Sequence, residues 1–195
     1  MGAYLSKVVR ASGKVSLVMD REGVAGGHPI RIRKTVSAFA GSPILEIHYR
    51  LEDLPVGKTL HFAVENNVAA MAGHADDRYF SDAQGERLGM LDALLDLTEQ
   101  SGVSLTDEWL DLQIELSWSR PARLRAFPIE TVSRSEGGYE GVYQSSAVFA
   151  EWAVTTDESR AWEVRMAWQV ASVREESQTL KTTERSGLLE VASES

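Results

Sequence analysis

The nine residues from Leu110 to Trp118, LDLQIELSW, alternate strictly between apolar and polar side chains. Successive side chains of a β-strand point to opposite faces, so this alternation predicts a strand with one face in a core and the other towards water or a second layer. The same period of two recurs at 45–51 (LEIHYRL) and 162–170 (WEVRMAWQV), and less cleanly at 60–65 (LHFAVE). The pattern predicts an all-β protein.

Shorter strand candidates lie at 15–19, 30–39 and 123–127, and turn sequences such as GGHP at 26–29 and LPVG at 54–57 separate the strands. Parallel sheets need long helical crossovers, for which these short connections leave no room. Many strands at this spacing therefore favour a large antiparallel β-sandwich.

Two segments fit the pattern less well. The segment 88–97 suits either a helix or a strand, and we assign it to a strand because the rest of the chain is so consistently β. The composition changes at 174–195, which is rich in Glu, Ser and Thr, and we predict a polar tail there or an edge strand at 187–191. The sandwich domain is thus expected over 1–173, and a strand that begins so close to Met1 predicts a fragment of a longer enzyme.

The bulk composition limits the classes of function. The chain has 195 residues, a formal net charge of −9 and no cysteine. One domain of this size can bury a core without disulfides, and the lack of cysteine rules out disulfides and thiolate metal sites and fits a cytoplasmic protein. The negative charge makes nucleic acid a poor partner, and no apolar run approaches the roughly 18 residues of a membrane span.

The motifs of common catalytic centres are missing from the sequence. The chain has no Gly-x-Ser-x-Gly elbow, no phosphate-binding glycine loop and no His-Glu-x-x-His pair, so we predict no catalytic residue, no cofactor and no metal. Glycoside chemistry needs two carboxylates, but the nearby carboxylate pairs read more simply as turn or salt-bridge residues. These pairs are Asp76 with Asp77, Asp107 with Glu108, and Glu130 with Glu136.

One long polar stretch, FPIETVSRSEGGYEGVYQ at 127–144, reads as an ordered loop rather than a strand. It resembles the PIETVSxSEGGFExVYQ segment in the C-terminal region of glycoside hydrolase family 57 enzymes, which are α-amylases and 4-α-glucanotransferases. The segments FAVENN at 62–67, AGHADDRYF at 72–80 and DEWL at 107–110 resemble further stretches of that family, in the same order. The chain departs from the family at His74, where Asn is common.

The resemblance implies a fold and a set of partners. The fold would be a galactose-mutarotase-like β-sandwich, the supersandwich, at the C-terminus of an enzyme whose catalytic residues lie on an N-terminal barrel. The partners would be that barrel and an α-glucan such as maltodextrin, starch or glycogen, with no nucleic acid and no membrane. The domain itself would be a non-catalytic accessory domain that packs on the barrel and borders the substrate cleft.

Candidate contact residues come from two places. We place Trp109 on the polar face of the strand that follows Asp107, where it is either a flat platform for a sugar or the barrel, or a strand-end side chain covered by a loop. The 128–144 loop either contacts the barrel or is a self-contained structural loop. Its candidate residues are Glu130, Glu136, Tyr139 and Tyr143.

Two alternative functions remain open at the level of sequence. An independent α-glucan-binding module would need exposed aromatic side chains such as Trp109 or Trp152. A mutarotase-like epimerase would need a general acid and base, for which His61 and Glu65 are neighbours on one polar strand face.

Overall fold

The computed structural model describes residues 3–69, 72–135 and 138–174. Its strands in chain order are β1 (Leu5–Ala11), β2 (Lys14–Ala25), β3 (His28–Phe39), β4 (Ile44–Glu52), β5 (Thr59–Ala69), β6 (Arg78–Ser81), β7 (Arg87–Met90), β8 (Leu95–Asp107), β9 (Leu112–Ser135), β10 (Gly138–Thr155) and β11 (Trp162–Ala171). The predicted all-β class is confirmed, and no described helix is long and apolar enough to cross a membrane.

The strands pair in the order β1-β2-β3-β4-β11-β9-β8-β6-β7, while β10 pairs with both β9 and β5. Every pair of these strands is antiparallel. The strands β4 and β11 are 110 residues apart in the chain yet lie side by side, with Ile47 opposite Met166. Among the described strands, four of the ten pairs join strands that are not consecutive in the chain, and these pairs connect distant parts of the sequence.

The longest strand, β9, belongs to two layers. Its first part pairs with β11 as far as Trp118, and its second part pairs with β10 from Arg123 onward. The register with β8 also shifts in this region, between Leu97 and Gly102. Pro121 lies in the break, and proline is tolerated at such irregular positions because it has no N–H to donate to a ladder. The sheet folds over at this point.

An aromatic cluster fills the space between the two layers. Phe62 of β5 packs edge-on against Tyr49 of β4, with ring centroids 5.4 Å apart, and against Trp162 of β11 at 5.7 Å. Phe62 also stacks on Trp152 at 6.0 Å, and Trp152 meets Trp118 at 6.5 Å. Since β5 is hydrogen-bonded to neither β4 nor β11, these contacts are face-to-face packing of two layers, as in a β-sandwich.

The structure corrects three details of the sequence reading. The strand expected from Leu110 begins only at Leu112, because the preceding residues form a turn. The segment 88–97 is a strand at both ends, but a turn at 91–94 separates β7 from β8. The stretch at 128–144 is not a loop: its two halves pair with each other as the ends of β9 and β10. The tail predicted at 174–195, with its alternative edge strand at 187–191, lies outside the described residues, apart from Arg174.

Candidate functional site

Three of the four sequence segments singled out, those at 72–80, 107–110 and 127–144, meet at one end of the molecule. The contacts run through the connection between β5 and β6, which touches the β8–β9 turn at one end and the base of the β9–β10 hairpin at the other. We call this region the motif end, and the paired residues 127–135 and 138–147 the hairpin. The hairpin tip at 136–137 lies outside the described residues, and with it Glu136.

The β8–β9 turn is organised by a buried carboxylate. Asp107 is only 1% exposed, and it accepts hydrogen bonds from Arg78 Nε at 2.9 Å and from the backbone N–H of Leu110 at 2.9 Å. Arg78 also donates to Asp77 at 2.8 Å. A buried carboxylate is tolerated when it is paired and hydrogen-bonded in this way, so Asp107 fixes the turn that follows it.

Trp109 lies in this turn, not on the polar face of a strand as the sequence reading had it. Its backbone is turned because Asp107 holds the N–H of Leu110 and because Asp111 adopts a left-handed conformation, with φ of 55°. Trp109 is 73% exposed, so no loop within the described residues covers it, and the guanidinium of Arg78 lies 5.8 Å from the ring centre. The turn presents a flat aromatic surface to solvent.

Beside the turn, Tyr79 connects two charged neighbours. Arg87 lies over its ring at 4.5 Å, and the phenol shares a hydrogen bond with Glu108. Burial raises the pKa of the Tyr79 phenol above its ordinary value, and the bond to the Glu108 carboxylate raises it further. The phenol therefore stays protonated as a hydrogen-bond donor.

At the base of the hairpin, Tyr143 is held by packing and by hydrogen bonds. Its hydroxyl lies 2.6 Å from Ser146 Oγ, which donates to the carbonyl of Leu91 at 2.7 Å. Its ring covers Gly73 so closely that a Cβ there would lie 2.6 Å from a ring carbon. Burial raises the pKa of this phenol as well. Tyr143 thus fastens the hairpin to the β5–β6 connection.

Glu130 lies across the hairpin from Tyr143 and close to an imidazole. His74 forms an ion pair with Asp92, and its Nε2 is 4.0 Å from Glu130 Oε1. The Asp92 side chain is only 15% exposed, whereas Glu130 is exposed. His74 thus places an imidazole between the carboxylates of Asp92 and Glu130.

The outer part of the hairpin carries bare apolar side chains. Val132 is 72% exposed and Tyr139 is 83% exposed. Both lie on the hairpin face shared with Glu130 and Tyr143, since Tyr139 is opposite Arg134 and Tyr143 is opposite Glu130 in the register. This face continues the core-facing side of β9, where Leu124 is fully buried. The hairpin projects beyond the layer that covers the core.

His61 and Glu65 lie elsewhere, on the outer face of β5, as the alternation predicted. They do not pair with each other: His61 Nδ1 is 3.0 Å from Glu151, which also binds Arg125, and Glu65 accepts a hydrogen bond from Asn67 at 3.1 Å. Trp152, the other candidate platform, is buried in the aromatic cluster with 5% exposure.

The sequence reading did not select Arg78, Asp92 or Gly73, which organise the motif end. The signal was available for Arg78 and Gly73, since both lie in the AGHADDRYF stretch. No sequence signal pointed to Asp92, because only the fold brings its side chain next to His74. Within the described residues, no group of three or more His, Asp or Glu side chains could hold a metal ion.

Residues 1–166 match the protein family described as "Alpha-amylase/4-alpha-glucanotransferase, C-terminal". The chain belongs to this family. The resemblance seen in the sequence is thereby confirmed, and the chain is a C-terminal domain of that enzyme type. Among curated proteins, no match to the chain is found.

Solved structures agree on the fold. The 4-alpha-glucanotransferase from Thermococcus litoralis superposes with a TM-score of 0.54 at 17% identity, over 84% of this chain and 22% of that one. A putative aldose 1-epimerase from Escherichia coli K12 superposes with a TM-score of 0.57 at 9% identity, over 86% of this chain and 69% of that one. A galactose mutarotase related enzyme from Lactobacillus acidophilus superposes with a TM-score of 0.52 at 10% identity, over 86% of this chain and 71% of that one.

These likenesses confirm the galactose-mutarotase-like sandwich. They also show that the domain spans about a fifth of the glucanotransferase chain, so that the remaining four-fifths of that enzyme has no counterpart here.

Proposed function

We propose that this chain is a non-catalytic accessory domain of an α-glucan-processing hydrolase or 4-α-glucanotransferase. It packs on the catalytic segment of that enzyme through the motif end and borders the cleft that holds the glucan. The observation that carries the proposal is the exposure of Val132 and Tyr139 on a hairpin face that continues the core-facing side of the sheet.

The physical reason is the cost of bare apolar surface. Side chains on a core-facing side are normally covered, and a contiguous apolar patch on a folded domain marks a surface for another protein or ligand. Tyrosine and tryptophan are favoured in such interfaces because they supply a large contact area together with a hydrogen-bonding group. The hairpin and Trp109 supply both a large contact area and hydrogen-bonding groups. Tyr143 fixes the hairpin in place, and Asp107 fixes the turn that carries Trp109.

The charges at the motif end suit a cleft border. Glu130, Glu108 and Asp76 surround the region with carboxylates, which can accept hydrogen bonds from sugar hydroxyl groups. An exposed indole beside them can stack on the apolar face of a sugar ring. The domain would in this way shape the rim of the groove without supplying a catalytic group.

A second candidate is an independent α-glucan-binding module, favoured by the 73% exposure of Trp109. In that case the isolated chain binds maltodextrin through Trp109 and needs no catalytic segment. The epimerase alternative loses its geometric basis, because His61 is paired with Glu151 and not with Glu65.

The test of the proposal uses the chain and, produced separately, the catalytic segment of the α-amylase/4-α-glucanotransferase from the same source. Sedimentation velocity measures the complex between them. We expect the double variant Val132→Ser/Tyr139→Ser to weaken the complex at least tenfold, or about 1.4 kcal/mol. Val24→Ser is the matched control, since Val24 is 74% exposed on β2, away from the hairpin.

The outcomes separate the candidates. A complex that the double variant weakens and Val24→Ser leaves unchanged supports the accessory domain. Absence of a complex, or equal affinity for both variants, contradicts it. Binding of maltoheptaose to the isolated chain that Trp109→Ala abolishes, without any complex, favours the independent module.

A further inference from the structure

A cavity lies away from the motif end, on the outer face of the layer formed by β2, β3, β4, β11 and β9. It has a volume of about 610 Å³. Its polar lining residues are Lys14, Thr35, Ser37, Glu46, His48, Ser117, Ser119 and Arg165. None of the candidate residues from the sequence lies in it. We call this cavity the outer groove.

The cross-strand register explains why the outer groove exists. One row of side chains across the strands is short except for Glu46: Ser16 lies opposite Ser37, and Ala167 lies opposite both Glu46 and Ser117. The next row along the strands is bulkier, with His48 opposite Thr35 and Arg165. A row of short side chains beside a row of longer ones forms a channel that runs across the strands.

The outer groove has a firm polar floor and wall. Ser16 and Ser37 are buried, and their hydroxyl oxygens lie 2.9 Å apart. On the wall, His48 Nε2 is 3.2 Å from Glu163, whose carboxylate also lies 3.6 Å from Arg50. These contacts hold the imidazole in place beside the channel. A ligand that binds there therefore loses little free energy to the ordering of side chains.

Hydroxyl groups and balanced charges define the chemistry of the outer groove. Lys14 and Arg165 contribute positive charge, and Glu46 contributes negative charge with no ion-pair partner among the described residues. Serine and threonine hydroxyls both donate and accept hydrogen bonds, carboxylates accept and ammonium groups donate. Such a mixture without a dominant sign suits a neutral ligand that carries many hydroxyl groups, rather than an anion or a cation.

We propose that the outer groove binds a neutral oligosaccharide, as a second sugar site remote from Trp109. Its five strands are about 4.8 Å apart, so the channel is roughly 19 Å long, enough for several sugar rings in a row. The site rests on the cavity and its lining; only the identity of the sugar as an α-glucan rests on the proposed function above. The domain would then hold a glucan chain at a distance from the catalytic cleft.

Isothermal titration of the chain with maltoheptaose tests this. Ala167→Trp places a bulky side chain in the channel and is expected to abolish the heat of binding. Glu46→Gln keeps the size of the side chain but removes its charge, and is expected to weaken binding about tenfold. Circular dichroism and the unfolding midpoint show that each variant is folded. Val24→Ser is the control, since Val24 is exposed and does not line the outer groove, and it is expected to bind as the parent chain does. Trp109→Ala tests separately whether the sugar binds at the motif end.

Each outcome decides the matter. Binding that Ala167→Trp abolishes, Glu46→Gln weakens and Val24→Ser leaves intact supports the outer groove. Binding that is lost in Trp109→Ala but kept in Ala167→Trp overturns the proposal and places the sugar at the motif end. No heat at millimolar maltoheptaose also overturns it, while leaving the accessory role to be judged by complex formation with the catalytic segment.

Discussion

At the scale of single residues, Gly73 shows how a small residue can position a functional element. A Cβ built on Gly73 would lie 2.6 Å and 2.8 Å from two ring carbons of Tyr143, closer than side-chain atoms normally approach. The φ angle of Gly73 is not in the left-handed region, so its requirement is steric. The missing side chain lets the hairpin lie down on the β5–β6 connection.

We therefore expect Gly73→Ala to lower the free energy of unfolding by about 1–3 kcal/mol, because the Tyr143 ring must move. Urea unfolding followed by tryptophan fluorescence measures this. Gly23→Ala is the control, since nothing lies within 4 Å of a Cβ there. In a Tyr143→Ala background the cost of Gly73→Ala should largely disappear. Equal effects at Gly73 and Gly23 would contradict the steric explanation.

At the scale of elements, the β8–β9 turn depends on one buried ion pair. The Asp107 side chain is 1% exposed and that of Arg78 is 16% exposed, whereas the Asp96–Arg123 pair on the neighbouring part of the sheet is open to water. Breaking a buried pair leaves an uncompensated charge, but an exposed pair is replaced by hydration. The two pairs should respond very differently to the same substitution.

Asp107→Asn is expected to cost about 3 kcal/mol of unfolding free energy and to release Trp109 from its fixed turn. Asp96→Asn, the matched control, should change stability little, because both partners are exposed. Thermal and urea unfolding of both variants provide the measurement. A small effect at Asp107 would mean that the turn is held by its backbone conformation alone.

At the scale of the whole molecule, the two layers are joined by the aromatic cluster around Phe62. This ring contacts Tyr49 and Trp162 of the first layer and Trp152 of the second. Because β5 hydrogen-bonds only to β10, side-chain packing is what fixes β5 over the opposite layer. The cluster accordingly carries a large share of the cohesion between layers.

Phe62→Ala should therefore destabilise the fold by about 3 kcal/mol, the low end of the range for removing a large aromatic side chain, because Phe62 is only partly buried. Leu5→Ala is the control, since Leu5 is 80% exposed, and it should stay within about 0.5 kcal/mol of the parent chain. Chemical denaturation of the two variants compares them. If Phe62→Ala were as mild as Leu5→Ala, the layers would be held together chiefly by the shared strand β9.

The sequence by itself determined the β character of the chain and its family. The alternation of apolar and polar residues at 112–118 and 162–170 follows from the pleat of a single strand, so it can be recognised before any partner strand is known. The FPIETVSRSEGGYEGVYQ stretch identified the family because its residue order is distinctive. The same stretch was read as a loop, since a strand with polar residues on both faces carries no alternation to reveal it.

Only the tertiary structure decided where the candidate residues meet. Trp109 lies in a turn because Asp107 binds the N–H of Leu110, and His61 pairs with Glu151, which is 90 residues away in the chain. The outer groove arises from the register of five strands, of which β4 and β11 are far apart in sequence. Alternation fixes which face a side chain occupies, whereas partner and register depend on long-range pairing that no local pattern encodes.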